Sequence, residues 1–244
     1  MAQMNFLQLV NRLKQECGVQ GDDLTTTVGQ TGIYKKLVDW VDQANNLIEN
    51  QNQWEWMYRT VTFTIPAGAS QLATTSLFPS DGFYVVDRKY LNIYDATLTT
   101  QTTNLQPVRF LEYRDFKQYY GMTPLPTAMP NVMTVNYDNT FYFNAIADKA
   151  YSFLFGYYRE VQNLKSANPV ATDDLNVPGI PQRFQLLIIA QAMIYYAQHE
   201  TAPDVEIAAT KRYDDIYVNM LAEQVSEIKF NCGLYSNPAG LVNV

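Results

Sequence analysis

The sequence predicts an α+β protein: an antiparallel helical bundle formed by both ends of the chain, a central and mainly antiparallel β insertion, and an extended C-terminal arm. Three observations predict it. Residues 4–17, 31–53, 181–199 and 203–229 carry apolar side chains at helical spacing. Residues 59–160 carry alternating patterns and turn signals, and hold 11 of the 18 tyrosines and 9 of the 12 phenylalanines. After Lys229 no charged side chain follows, so the tail is too apolar to be a solvating one. The expected division is a discontinuous helical bundle over 1–58 and 178–229, a β-rich insertion over 59–160, a linker over 161–177, and a docking arm over 230–244.

The elements follow in order. Phe6, Leu9, Val10 and Leu13 share one face of a first helix that Gly18 ends. A Gly/Thr/Asp-rich loop spans 18–31. Ile33, Leu37, Val41, Ala44 and Ile48 then step by four, four, three and four, and Trp40 and Leu47 widen the stripe. Trp54 and Trp56 form an aromatic cluster just before the first strand. In RTVTFTI, Val61, Phe63 and Ile65 face one way and Thr60, Thr62 and Thr64 the other. FYVVDRKYLNIY is a second strand, 99–107 a polar loop, 112–120 a short helix with aromatics at helical spacing, and 121–131 a proline-rich loop. VMTVNYDNTFYF reads as a hairpin turning at Asp138–Asn139, which tolerate positive φ. AYSFLFGYY is apolar on both sides, which predicts a central strand.

The second half closes with two helices. Leu186, Ala190, Met193 and Ala197 define a buried one, with Pro181 in a first-turn position. Thr201, Pro203 and Asp204 stop that helix and start the last one, Thr201 and Asp204 being capping-box-like with Pro203 in the first turn. Ala209, Tyr213, Ile216 and Met220 make its inner stripe, and Leu221, Val225 and Ile228 an adjacent one. The arm residues expected to dock on a partner are Phe230, Leu234, Tyr235, Leu241, Val242 and Val244.

Composition narrows the function. The chain of 244 residues is 47% hydrophobic but only 17% charged, so Asn, Gln, Thr and Tyr supply the polar surface. The net charge of −7 argues against a phosphate-tracking surface, which needs clustered Lys and Arg. Cys17 and Cys232 make neither a disulfide framework nor a metal pair, and read as reduced thiols. No signal peptide and no run of about 18 apolar residues is present, so no membrane partner is expected.

The chemistry is sparse, and the expectation is no enzyme, no cofactor and no metal site. His199 is the single histidine and reads as a polar residue at a helix end. No nucleophile elbow, P-loop or zinc motif accompanies it. The pairs Asp22–Asp23, Asp173–Asp174 and Asp214–Asp215 read as solvated loop or helix-surface acids. Arg109, Arg114 and Lys117 could meet a phosphate, but Glu112 and Asp115 dilute them. The aromatic middle suits a core, a protein interface or a carbohydrate platform.

Both ends of the chain carry a family likeness. FLQLVNRLKQECG, the TVGQTG loop and KLVDWVDQANNLIENQNQWEWM, followed late by IPQRFQLLIIAQAMIYYAQHETAP and ATKRYDDIYVNMLAEQ, resemble the head-to-tail adaptor (connector) proteins of tailed bacteriophages. The likeness covers roughly 1–66 and 178–229; the large insertion departs from the short members. It implies a homo-oligomeric ring, commonly of twelve copies, beneath the portal protein at the virion neck, in a protein made in the host bacterial cytoplasm. Such a ring extends the DNA channel, lets DNA pass without sequence-specific binding, and offers a platform to tail or nozzle proteins. It also implies that the C-terminal arm docks on the portal. The alternatives are another neck or tail component, or a carbohydrate- or receptor-binding module built on the insertion.

Overall fold

A computed structural model describes residues 3–73, 77–78, 82–97, 104–121 and 124–224. Its described residues are mixed α+β, with five α-helices and two four-stranded, mostly antiparallel sheets. They divide into two compact units, one of residues 1–56 with 161–244 and one of residues 57–160.

The first unit is helical. α1 (Phe6–Glu16) starts at a reciprocal cap: the Asn5 side chain accepts from Gln8 N at 2.9 Å, and the Gln8 side chain accepts from Asn5 N at 3.0 Å. Its stripe of Phe6, Leu9, Val10 and Leu13 is fully buried. α2 (Gly32–Asn50) buries Leu37, Val41, Ala44 and Ile48 as its spacing predicts. Leu47, expected to widen that stripe, is 40% exposed, whereas Asn45 is fully buried. The chain returning after residue 160 lies on that side of α2: Asn45 Nδ2 donates to Gln162 O at 3.2 Å.

α4 (Leu186–Glu200) is buried without a break from Leu187 to Met193. A helix apolar all round belongs in a core, and α4 packs against α1, α2 and α5. α5 (Pro203–Gln224) buries Ala209 and Met220 and half-buries Tyr213 and Ile216, the predicted stripe. Its end of the helix pair is tied to α2 by Tyr213 Oη donating to Gln51 and Asn52 donating to Tyr217 Oη.

Thr201 stops α4, as expected, and does so in the left-handed region, at φ 55° and ψ 47°. Ala202 O then accepts from Glu206 N as α5 begins. A β-branched residue strains that conformation and glycine does not. Thr201→Gly is expected to raise stability by about 1 kcal/mol, read as a higher denaturant midpoint; an unchanged or lower midpoint would refute the strain.

The second unit is two sheets around an aromatic core. One has the order β1 (Tyr58–Ile65), β8 (Tyr151–Tyr158), β3 (Val85–Asp95) and β4 (Gln106–Pro107). The other has the order β2 (Gln71–Ala73), β7 (Thr140–Phe143), β6 (Val132–Val135) and β5 (Arg109–Phe110). The first and last strands pair from Tyr58↔Tyr158 to Ile65↔Tyr151, so the unit enters and leaves through neighbouring strands. β8 is central in its sheet, as its two apolar sides predict. One side is fully buried, while Ser152, Leu154 and Tyr158 on the other are half-covered. Phe141 of β7 meets Phe63 of β1 at 5.9 Å and Phe155 of β8 at 5.3 Å between ring centroids.

The hairpin turn uses Asn139 alone at positive φ, 58°. α3 (Tyr113–Tyr120) lies where the aromatic spacing puts it and buries Phe116. The polar stretch 99–107 ends in strand β4, paired with Asn92 and Ile93; residues 98–103 lie outside the described part. Together β2, β4 and β5 are too short to leave a period-2 signal. β5 pairs with β6 in parallel, the exception among the described strand pairs.

Gly156 sits in β8 because Tyr58 crosses over it. A Cβ there would lie 2.0 Å from Tyr58 Oη and 2.6 Å from its Cζ. Tyr58 Oη donates to Asp87 Oδ2 at 3.3 Å, which anchors the ring. Gly156→Val therefore expels Tyr58 and is expected to cost about 2 kcal/mol, in the range of overpacking. Near-UV circular dichroism of the tyrosines would lose intensity; an unaltered spectrum and midpoint would exclude the clash.

Candidate functional site

The sharpest polar arrangement in the helical unit surrounds residues 161–177, the expected linker. Asp173 and Asp174 are not solvated: they are 3% and 8% exposed. Asp173 accepts from Ser166 N at 3.1 Å, Ser166 Oγ at 2.6 Å and Val170 N at 3.2 Å. Asp174 Oδ1 accepts from Thr27 N at 2.7 Å and Thr27 Oγ at 2.6 Å. On α2, Asp42 Oδ1 accepts from Leu164 N at 2.9 Å and Lys165 N at 3.0 Å. Asn176 O accepts from Phe6 N at 2.8 Å, which starts α1. An irregular segment must pair its buried backbone groups with something, and these carboxylates supply the acceptors. The Asp pair is therefore not solvated: Asp173 gathers donors from its own loop, and Asp174 takes both of its donors from Thr27, far away along the chain.

The two acid environments differ in sign. Burial raises the Asp42 carboxyl above its ordinary value, and the Leu164 and Lys165 amides only partly oppose it. Burial also pushes Asp173 upward, but the Ser166 hydroxyl and the Ser166 and Val170 amides outweigh it and hold it below the ordinary value.

His199, at the end of α4, is engaged by charged neighbours. Its Nδ1 lies 2.8 Å from Glu200 Oε1, its Nε2 meets Lys36 Nζ, and its ring lies 5.5 Å from Trp40. No hydroxyl or thiol nucleophile is among these partners. Burial, and then the Glu16 charge, push the Cys17 thiol up to about 12. It stays protonated at neutral pH and is a poor nucleophile or metal ligand. Asp23 meets Lys14 at 3.3 Å, and Asp214 and Asp215 lie on the exposed side of α5. Among the described residues no group of three His, Cys, Asp or Glu could hold a metal ion, and no helix is long and apolar enough to cross a membrane.

Surfaces offer more than chemistry. In the β unit, Tyr119 is 66% and Tyr137 91% exposed. Tyr113 lies 6.4 Å from Tyr137 and 5.9 Å from Tyr142, and Lys117 Nζ stands 5.6 Å and 5.4 Å from the Tyr113 and Tyr142 rings. Lys117 thus faces aromatic rings, which is how a cation is held over π faces. Arg88, missed in the basic cluster, lies over Phe110 at 4.7 Å and pairs with Glu112 at 2.6 Å. On α5, Ile207 and Val218 are 70% and 63% exposed. The expected arm residues Phe230, Leu234, Tyr235, Leu241, Val242 and Val244 lie outside the described residues, as does Cys232.

Charge divides with the units. Residues 1–56 and 161–244 hold 9 basic and 16 acidic side chains and so carry the whole net charge; residues 57–160 hold 8 of each.

No curated protein matches the chain. The family description of the SU10 adaptor protein matches residues 4–231, spanning both units. With a helical unit drawn from both ends of the sequence and an aromatic β unit from its middle, both spanned by that match, the chain belongs to the SU10 adaptor protein family, a name that denotes a phage adaptor of structural role.

Proposed function

We propose that the protein is a structural virion component that joins the head to the tail. Copies form a ring, of twelve subunits as the resemblance implies, beneath the portal protein at the neck. The ring extends the DNA channel and presents a platform to tail or nozzle proteins. The family match over 4–231 carries this reading. Two features support it. The acid excess of the helical unit suits a channel wall that must not grip passing phosphates. The uncharged stretch 230–244 suits an arm that trades ordering entropy for burial on a partner.

In this reading the discontinuous helical part, 1–58 and 178–229, is the ring body, 59–160 is an insertion presented to a neighbour, and 161–177 is the connection between them. The test is native mass of the protein alone and after mixing with the portal protein of the same genome. A stoichiometric portal-plus-adaptor ring, lost on deleting 230–244, is expected. No association with an intact portal ring would move the assignment to another neck or tail component. A second reading, a carbohydrate- or receptor-binding module, draws on the exposed Tyr119 and Tyr137 beside Tyr113. It requires glycan binding by the isolated protein that Tyr137→Ala abolishes.

A further inference from the structure

Among the described residues β1 is the outermost strand of its sheet and pairs with β8 on one side only. Its hydrogen-bond phase follows from two bonds. Arg159 N donates to Met57 O at 3.0 Å, and Tyr84 N donates to Tyr158 O at 3.0 Å on the β3 side. In an antiparallel ladder the N–H and C=O of one residue point the same way, and the direction alternates along the strand. The backbone groups of Arg59, Val61, Phe63 and Ile65 therefore point at β8. Those of Thr60, Thr62 and Thr64 point away from it. These three threonines are exposed, and Val61 and Phe63 are half-buried at the margin of the aromatic core.

Edges of this kind are ordinarily guarded by lysine, proline or a bulge. Between Thr60 and Thr64 there is none; the register to β8 is unbroken, and Arg59 and Pro66 only flank the stretch. The pattern Thr60-Val61-Thr62-Phe63-Thr64 also reads the same from either end: threonine, apolar, threonine, apolar, threonine.

From this self-complementary open edge we infer that two copies of the chain join β1 to β1, antiparallel, about a two-fold axis at Thr62. Thr62 meets its own copy and Thr60 meets Thr64, so each pair exchanges both N–H···O bonds. Val61 of one copy falls beside Phe63 of the other on the core face, and threonine meets threonine on the opposite face. Cross-strand pairs of these types stabilise sheets. Pro66, without an N–H, ends the pairing beyond Ile65. A second copy is the occupant because the same pattern supplies the apolar and threonine faces in the order that β1 requires. The contact is isologous and so distinct from the head-to-tail contact that closes a ring; it goes beyond the adaptor reading.

The test is sedimentation equilibrium of the full chain alone, from micromolar to millimolar concentration. Wild type is expected to reach the two-chain mass. Thr62→Lys brings two like charges together at the axis and is expected to stay at one chain, with unchanged melting because the Thr62 side chain is exposed. Thr62→Ser keeps the backbone edge and is expected to keep the dimer. A wild type that remains a single chain at every concentration overturns the inference. So does a dimer indifferent to Thr62→Lys, or a larger ring abolished by it, which would give the edge to a head-to-tail neighbour. The portal protein is absent from the experiment, so neither result bears on portal binding.

Discussion

Trp54→Ala is expected to lower the stability of the helical unit by about 3–5 kcal/mol, the range for emptying a large aromatic site. Trp54 is fully buried. Its ring stacks on Trp56 at 4.7 Å and 10°, and meets Tyr217 of α5 edge-on at 6.2 Å. Its Nε1 donates at 2.8 Å to Ile48 O, which also accepts from Gln51 N at 3.3 Å where α2 ends. One side chain thus closes α2 and supports α5. Domains are stable by only about 5–15 kcal/mol, so the loss is a large share of the total. Trp54→Phe keeps most of the packing and drops the donor, and should cost about 1–2 kcal/mol. All three tryptophans lie within residues 1–56, so tryptophan fluorescence reports this unit separately from the other. For Trp54→Ala, Trp40 remains a reporter. A denaturant midpoint for Trp54→Ala close to that of Trp54→Phe would contradict the account.

The second large effect is a matched pair of opposite sign. Asp173→Asn is expected to cost about 2 kcal/mol at pH 7, because the Ser166 and Val170 donors then lose a charged acceptor in a part-buried site. Asp42→Asn is expected to leave stability unchanged or raised at the same pH. The amide oxygen still serves the Leu164 and Lys165 N–H groups, the Asn46 side-chain amide, which donates to Oδ2 at 3.4 Å, can turn its oxygen to the new N–H₂, and a carboxylate disfavoured by burial is removed. The pH dependence has opposite directions. The Asp173 carboxyl is held below its unfolded value, so its contribution is complete above the ordinary Asp range, about 3.9, and disappears as pH falls through the lowered folded value. The Asp42 carboxyl is raised, so its contribution is complete below the ordinary range and is lost as pH rises through the raised value. Midpoints measured at pH 7 and in acid should therefore converge for Asp173→Asn and wild type. Equal losses for the two variants at pH 7 would show that the carboxylates are interchangeable.

Local periodicity accounts for much of what was legible. The stripes of α1, α4 and α5 need only a repeat near 3.6 residues to be found, and β1, β8 and the β6–β7 hairpin need only alternation and a turn residue such as Asn139. Residues whose partners no periodicity marks were misread. Asp173 and Asp174 look like loop acids until Ser166, Val170 and Thr27 are placed around them. Leu47 looks inward until the returning chain reaches Asn45 instead.

The sequence by itself determined the α+β class, the helical ends around an aromatic middle, the acidic balance and the family likeness. Each rests on composition or on spacing within one element, which survive without knowledge of what packs where. Only the tertiary structure decided that Asp173 and Asp174 are buried acceptors, that Thr201 closes α4 in the left-handed region, and that the backbone groups of Thr60, Thr62 and Thr64 point away from β8. Those depend on which distant groups meet, on burial, and on hydrogen-bond phase between strands, none of which a one-dimensional pattern contains.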